Sequence, residues 1–143
     1  MTEKHFFKPG EYWIGDPCYA VKDENWNELC DNTGCFGIEL EKFPPNWQSG
    51  LFKYNDHLCF TYKTKYGDGT YYDNKGNEYG VDAGLIGIMP IECCDGNSMH
   101  GGVKHNFYGE FQVWENNGKF YFGSIEIDTD DDIGDFWNED SEY

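Results

Sequence analysis

The sequence contains no arginine: all ten basic residues are lysines, against 27 acidic residues, and the formal net charge is −17. Arginine is the side chain that most readily grips phosphate and carboxylate groups with two parallel hydrogen bonds. An acidic chain without arginine is a poor candidate for direct binding of nucleic acid, nucleotides or acidic lipids, which repel its charge. We therefore expect any charged partner to be a cation or a basic protein.

The sequence also lacks long apolar runs. Its first residues, MTEKHFFKPGEYW, contain no stretch typical of an export signal. No window approaches the roughly 18 apolar residues of a membrane span. We therefore expect a cytoplasmic location and no membrane association. The six cysteines would stay reduced there, although their even number also allows disulfides.

Acidic residues are concentrated at the end of the chain. The last 20 residues hold nine acids and no base, which is just over half of the net charge. A length of 143 residues is typical of one domain, and 19% aromatic residues can supply a core. We predict a β-rich globular domain over residues 1–124. We predict that residues 125–143 hold the end of the last strand and an acidic segment packed on the domain or on a partner, because Phe136 and Trp137 lie there.

Most of the remaining pattern is typical of β-structure. The stretch HLCFTYKTKYG alternates apolar and polar residues, and LIGIMP is a short apolar run that predicts a buried strand. Residues 73–76 and 116–118 have hairpin-turn compositions. The segment GEYWIGDPCYAV predicts two short strands separated by a turn, and DENWNELCDN is the one good helix candidate. We predict an antiparallel β-sandwich or open barrel with one short α-helix.

The stretch GKFYFGSIEI changes its alternation midway. Phe120 and Phe122 have one parity in the sequence, and Ile125 and Ile127 have the other. Since one face of a strand is normally buried, this pattern predicts a bulge at residues 123 and 124 that restores a single buried face.

Three aspartates stand next to glycine or within glycine-rich segments: Asp16 in IGDPCY, Asp68 in KYGDGTY and Asp82 in YGVDAGLIG. If they meet in space, they could bind a divalent cation such as Ca²⁺ or Mg²⁺, or act as acid and base in a hydrolase. Aspartate and glycine are also the commonest turn formers, so each aspartate could instead cap a turn. Both interpretations stay open from the sequence.

The acidic end raises a separate metal question. Asp128, Asp130, Asp132 and Glu139 have the spacing of positions 1, 3, 5 and 12 of an EF-hand loop. Position 6 requires glycine but holds Ile133, and the preceding residues are typical of a strand. A looser cation site and a solvated acidic terminus remain as alternatives, and the solvated terminus is the favoured one.

Thiol chemistry and zinc binding are weaker hypotheses. A nucleophilic cysteine needs a neighbouring base. Cys18 follows a tight turn, but no spacing assigns it a histidine. The sequence contains no Cys-x-x-Cys pair, and the spacings of Cys30 with Cys35, His57 with Cys59, and Cys93 with Cys94 are irregular for zinc. Buried structural thiols are the preferred interpretation.

Three segments of the sequence resemble segments of other proteins. GDPCY, YGDGTYYDNKGNEY and VDAGLIGIMP resemble a set of small uncharacterised proteins of phages and bacteria, over residues 11–20 and 62–90 and more weakly in GSIEIDTDD. These proteins pair a GDPCY segment with a YGDG hairpin and a VD-[AS]-G strand. They have no assigned activity, so the resemblance implies a phage-like setting and no mechanism.

These observations favour an interaction protein over an enzyme. The leading hypothesis is an inhibitor with no cofactor, presenting an acidic and possibly DNA-mimicking face to a basic site of a host defence nuclease or other nucleic-acid-binding protein. A divalent-metal module or hydrolase using the three aspartates is the alternative, and a sponge for a nucleotide signal, with Lys63 and Lys65, is the third. The expected partner-binding residues are Glu126, Asp128, Asp130, Asp131, Asp132, Asp135, Phe136, Trp137 and Glu139.

Overall fold

The computed structural model describes residues 4–22, 51–82, 84–96 and 101–129. These residues form antiparallel strands and short 3₁₀ turns, which confirms the predicted mainly-β class. The predicted helix at residues 23–32 lies outside the described residues. Within the described ranges, no helix has the length and apolar character needed to cross a membrane.

The first sheet has four strands and contains both ends of the described chain. Its order is β1-β9-β10-β11, and every pairing is antiparallel. The turn at 116–118 is the predicted hairpin, because Asn117 and Gly118 have φ angles of 54° and 89°, as a tight turn of this kind requires. The strands are β1 (His5–Phe7), β9 (Phe111–Asn116), β10 (Lys119–Phe122) and β11 (Ile125–Asp128).

The bulge predicted at residues 123 and 124 is wrong, because these residues form a second hairpin turn. Phe122 of β10 is paired directly with Ile125 of β11, and Gly123 has φ of 64°. A two-residue turn reverses the chain, so side chains on opposite sequence parity return to the same face of the sheet. Phe122 and Ile125 are consequently both buried.

The second sheet has five strands in the order β3-β4-β7-β2-β8. The run LIGIMP forms the predicted buried strand at its centre. Gly87 in that strand is required by close packing, since a Cβ built there would lie 2.3 Å from the carbonyl oxygen of Phe60. The strands are β2 (Gly10–Gly15), β3 (Leu51–Tyr54), β4 (His57–Lys63), β7 (Leu85–Pro90) and β8 (Val103–Phe107).

A separate hairpin of β5 (Gly69–Tyr72) and β6 (Glu78–Val81) confirms the turn predicted at residues 73–76. The second strand predicted in GEYWIGDPCYAV is wrong, because Pro17–Tyr19 forms a 3₁₀ turn. Proline presets the φ angle of the first helical position, and the Asp16 side chain caps the turn by accepting the N–H of Cys18 at 3.0 Å.

The two sheets and the hairpin share one hydrophobic core. Inward residues from both sheets and from the hairpin form a continuous buried cluster that includes Ile14, Phe60, Tyr79, Val113 and Phe120. A second cluster lies on the opposite face of the five-stranded sheet and includes Trp13, Met89 and two cysteines. The described strands therefore form a sandwich in which the five-stranded sheet is buried on both faces.

Candidate interaction face

The side of the four-stranded sheet that points away from the core carries a row of charged and aromatic side chains. Trp114 of β9 is paired with Tyr121 of β10, and Tyr121 is paired with Glu126 of β11. Lys4, just before β1, extends this row, because its Nζ lies 4.7 Å from the centre of the Trp114 ring. We call Lys4, Trp114, Tyr121 and Glu126 the outer row.

The outer row follows from the alternation of these strands. Along β9, β10 and β11, every second residue is buried and the residues between are half-buried, or exposed at Asn116; the buried set faces the five-stranded sheet. Since successive side chains of a strand point to opposite faces, the half-buried set must point outward. Phe6 lies beside the row on β1 and is 61% exposed, although most large apolar side chains of the described chain are buried.

The centre of the row is a rigid aromatic pair. The Trp114 and Tyr121 rings stack with centroids 4.5 Å apart and planes 9° from parallel. The ammonium group of Lys4 lies over the Trp114 ring, where the negative face of the π-system attracts a cation. The pair therefore already holds one cation of its own chain.

The outer edge of β11 is closed to further strand pairing at Glu126. The N–H of Glu126 donates to the Asn74 side chain at 3.0 Å, and its carbonyl accepts the Asn74 N–H at 3.0 Å. The Asn74 amide also donates to the carbonyl of Ser124, and Asp73 forms a bridge with Ile127. A partner at this place would therefore meet the face of the sheet and its side chains.

The acidic C-terminal sequence begins at an anchored point. Thr129 donates its N–H to Gly118 at 2.8 Å, and its hydroxyl accepts the N–H of Lys65 at 3.0 Å. Lys65 also donates from Nζ to the Asn117 side chain at 3.1 Å. The seven acids of residues 130–143 follow directly from this anchor.

Negative charge is unequally divided between the described and remaining parts of the chain. The described residues carry 13 acids and nine lysines, a net charge of −4 out of −17. Across the sheet, Glu126 is opposite Tyr121, and Asp128 is opposite Lys119 with 4.0 Å between Oδ2 and Nζ. On β10, the residues opposite Glu126 and Asp128 are therefore not acidic.

The remaining expected partner-binding residues lie outside the described residues: Asp130, Asp131, Asp132, Asp135, Phe136, Trp137 and Glu139.

The structure brings Asp16 and Asp82 together. Asp16 is fully buried, and its Oδ2 accepts the N–H of Asp82 at 2.9 Å. The Asp82 side chain is exposed and accepts the hydroxyl of Tyr19 at 2.6 Å, which raises the pKa of Tyr19. Asp68 is exposed and lies near Gly84, since a Cβ built on Gly84 would be 3.8 Å from its Oδ1.

Sequence spacing missed a cluster of thiols. Cys59 of β4 and Cys93, in the 3₁₀ turn Ile91–Cys93, have their sulfur atoms 3.9 Å apart. The half-buried Cys94 follows, and its Sγ lies 3.5 Å from the carbonyl oxygen of Pro90. Across the described ranges, no group of three or more His, Cys, Asp or Glu residues is arranged to hold a metal ion.

Sequence spacing also missed a hydrogen-bonded chain of three polar side chains. Asp73 is 7% exposed and accepts the hydroxyl of Tyr79 at 2.7 Å, and the Tyr79 oxygen lies 2.9 Å from Nε2 of His105. Burial alone would raise the pKa of Asp73, but hydrogen bonds from Tyr79, Asn77 and Lys75 hold it below its ordinary value. Since the single hydroxyl proton goes to the carboxylate, Nε2 of His105 carries a proton and donates to Tyr79. No sequence signal links three residues from a turn and two separate strands.

Comparisons of the chain with protein-family models, with curated proteins and with solved structures each returned no match.

Proposed function

We propose that the protein is an inhibitor of the phage type that binds a basic site on a host nucleic-acid-binding protein, such as a defence nuclease. The outer row and the acidic sequence after it would form the binding surface. The resemblance of three segments to small phage and bacterial proteins supports the setting, and the net charge of −17 supports a basic partner.

The observation that carries this proposal is the outer row itself. Stacked Trp114 and Tyr121 form a flat aromatic platform, and Glu126 stands beside it on the neighbouring strand. Aromatic residues are enriched at protein interfaces, and a platform beside a carboxylate suits a lysine or arginine side chain. Lys4 occupies such a position within the chain, so a partner's cation would replace it over Trp114.

The acidic sequence would supply long-range attraction. It starts at Thr129, at the same end of β11 as Asp128, and holds seven acids without a base. Opposite charges of this density accelerate encounter and make association depend steeply on salt. A DNA-like spacing of charge would have to come from residues 130–139, because Glu126 and Asp128 on an extended strand are roughly 7 Å apart.

The test is a binding titration with a basic nuclease captured from host lysate and then purified. We expect the affinity to fall steeply between about 50 and 200 mM salt, and duplex DNA to compete for the same site. Affinity that does not change with salt, or simultaneous binding of DNA and the inhibitor, would overturn the proposal.

Matched variants locate the surface. Trp114→Ala combined with Tyr121→Ala should weaken binding, whereas Tyr108→Ala, at a side chain that is 91% exposed elsewhere, should not. Neutralising Asp130, Asp131 and Asp132 to Asn should reduce the salt dependence. The control for charge alone replaces three exposed acids away from the face: Asp56→Asn, Asp68→Asn and Glu78→Gln.

The alternative, a divalent-metal module, would use Asp16 and Asp82, which are neighbours, although the bond between them joins the backbone N–H of Asp82 to a carboxylate oxygen of Asp16. A thermal shift in Ca²⁺ or Mg²⁺ separates the two proposals, because a ligand of the folded state raises the unfolding temperature by mass action. A shift that disappears in Asp82→Asn would support the metal module. An unchanged unfolding temperature at millimolar metal would contradict the metal module and would leave the interaction proposal as the remaining one.

A further inference from the structure

The thiol cluster contains a pair whose chemistry is independent of the outer row. Cys59 is 0% exposed and Cys93 is 1% exposed, and both belong to the cluster on the far side of the five-stranded sheet. Their sulfur atoms lie 3.9 Å apart in the same buried cluster. To form a disulfide, the two sulfur atoms would have to approach to a bonding distance of about 2.05 Å.

We propose that Cys59 and Cys93 form a redox-active thiol pair that hydrogen peroxide converts to an intramolecular disulfide. This pair joins the strand β4 to the 3₁₀ turn after β7, segments that are 34 residues apart in sequence.

Cys93 is the residue that reacts first. Hydrogen bonding with the thiols of Cys59 and Cys94 lowers the pKa of Cys93, while burial raises that of Cys59. The thiolate is the reactive form of cysteine. Cys93 itself is buried and the neighbouring Cys94 is half-buried, so hydrogen peroxide, which is only slightly larger than water, would have to enter from the side of Cys94.

The reaction has two balanced steps. The Cys93 thiolate attacks one oxygen of hydrogen peroxide, the O–O bond breaks, and the departing hydroxide takes a proton to become water. The sulfur of Cys59 then attacks the sulfenic sulfur of Cys93, an S–S bond forms, and the hydroxyl group leaves with the Cys59 proton as a second water. Two thiols lose two protons and two electrons, and peroxide is reduced to two waters.

Hydrogen bonds hold the turn that carries Cys93 in place. The Asn55 side chain donates to the carbonyl of Cys93 at 2.9 Å. Asp95, two residues later, accepts the hydroxyl of Tyr54 at 2.7 Å and the N–H of Lys22 at 3.0 Å. These contacts do not involve the thiols, so they can persist when the two sulfur atoms approach each other.

Peptide mapping of the folded, full-length protein tests the proposal. The protein is treated with hydrogen peroxide, free thiols are alkylated, and the unreduced chain is cut after lysine. Cys59 then lies in peptide 54–63 and Cys93 in peptide 76–104, so a disulfide joins two peptides with the loss of about 2 Da. We expect this product in wild type and in Cys94→Ser, and its loss in Cys93→Ser.

Two controls keep the outcome interpretable. Cys18→Ser changes another half-buried thiol and should leave the product unchanged. Oxidation in denaturant should distribute the cross-links among several cysteines, which shows whether the native fold selects the pair. Absence of the 54–63 to 76–104 product in the folded wild type, or its persistence in Cys93→Ser through Cys94, would overturn the assignment.

Discussion

Asp82 donates its backbone N–H to a carboxylate oxygen of Asp16 at 2.9 Å, across 66 positions of the chain. Tyr19, three residues after Asp16, completes the connection by donating its hydroxyl to the Asp82 side chain. The GDPCY and VDAG segments are therefore neighbours in space. The YGDG segment adjoins them, because the Thr64 N–H, just before it, donates to the Gly84 carbonyl. These hydrogen bonds give the three segments a shared structural role in the described fold.

The first prediction concerns the stability that Asp16 provides by accepting hydrogen bonds from two backbone N–H groups. Asp16→Ala removes a fully buried carboxylate, leaves the part-buried N–H groups of Cys18 and Asp82 without that acceptor, and should lower the free energy of unfolding by about 2–4 kcal/mol. Asp68→Ala, at an exposed aspartate, should change it by less than about 0.5 kcal/mol. Urea denaturation in EDTA measures both, and equal urea midpoints would contradict the capping role.

Gly87 should be intolerant of any side chain. A Cβ at this position would lie 2.3 Å from the Phe60 carbonyl oxygen and 2.9 Å from the Thr61 Cβ, so β4 and β7 would have to separate. We expect Gly87→Ala to cost about 3 kcal/mol or more of unfolding free energy. Gly109→Ala is the matched control, because nothing lies within 4 Å of its Cβ position. Similar thermal unfolding of the two variants would refute the close packing.

Stability should decline on mild acidification because of His105. Burial lowers the pKa of His105 in the folded protein, whereas an unfolded chain protonates histidine near ~6.5. The stabilisation is therefore complete above that pH and is lost as pH falls through it, because the unfolded state gains the proton first. Asp73, with its lowered pKa, adds stability above about 3.9 that is lost on further acidification.

The variant His105→Gln isolates the histidine contribution. Glutamine can still donate to the Tyr79 oxygen but does not titrate, so the slope of unfolding free energy between about pH 5 and 7 should become shallower. Asn106→Ala, an exposed change on the same strand, should keep the wild-type slope. Denaturant titrations across this range give both slopes, and an unchanged slope in His105→Gln would count against the burial argument.

The position of a C-terminal truncation should decide whether the domain folds. Ending the chain at residue 124 removes β11, whose Ile125 and Ile127 are 4% and 0% exposed. Loss of two buried isoleucines costs about 2–5 kcal/mol each, against a typical total stability of about 5–15 kcal/mol. A chain ending at residue 129 keeps β11 and the Thr129 anchor.

Circular dichroism and thermal unfolding compare the two truncations. We expect cooperative unfolding for residues 1–129 and none for residues 1–124. A cooperative transition in the shorter chain would mean that β11 is not an integral strand. Only the longer truncation is therefore a sound reagent for testing the acidic sequence after it.

Local chemistry made several elements predictable from the sequence. The turn at Asn117 and Gly118 was predicted because asparagine and glycine tolerate the positive φ that a tight hairpin needs. The buried strand LIGIMP was predicted from composition alone. The parity change between Phe122 and Ile125 was recognised but misinterpreted as a bulge, since the same pattern arises when two strands reverse and pair.

The sequence by itself determined the mainly-β class, the acidic charge and the turns at residues 73–76 and 116–118, because each depends on composition or on the backbone preferences of a few adjacent residues. Only the tertiary structure decided that Asp16 meets Asp82, that Cys59 meets Cys93 and that Trp114 stacks on Tyr121 beside Glu126. The first two contacts join residues 66 and 34 positions apart. Such contacts arise when distant strands bury a common core, and no local preference encodes which strands those are.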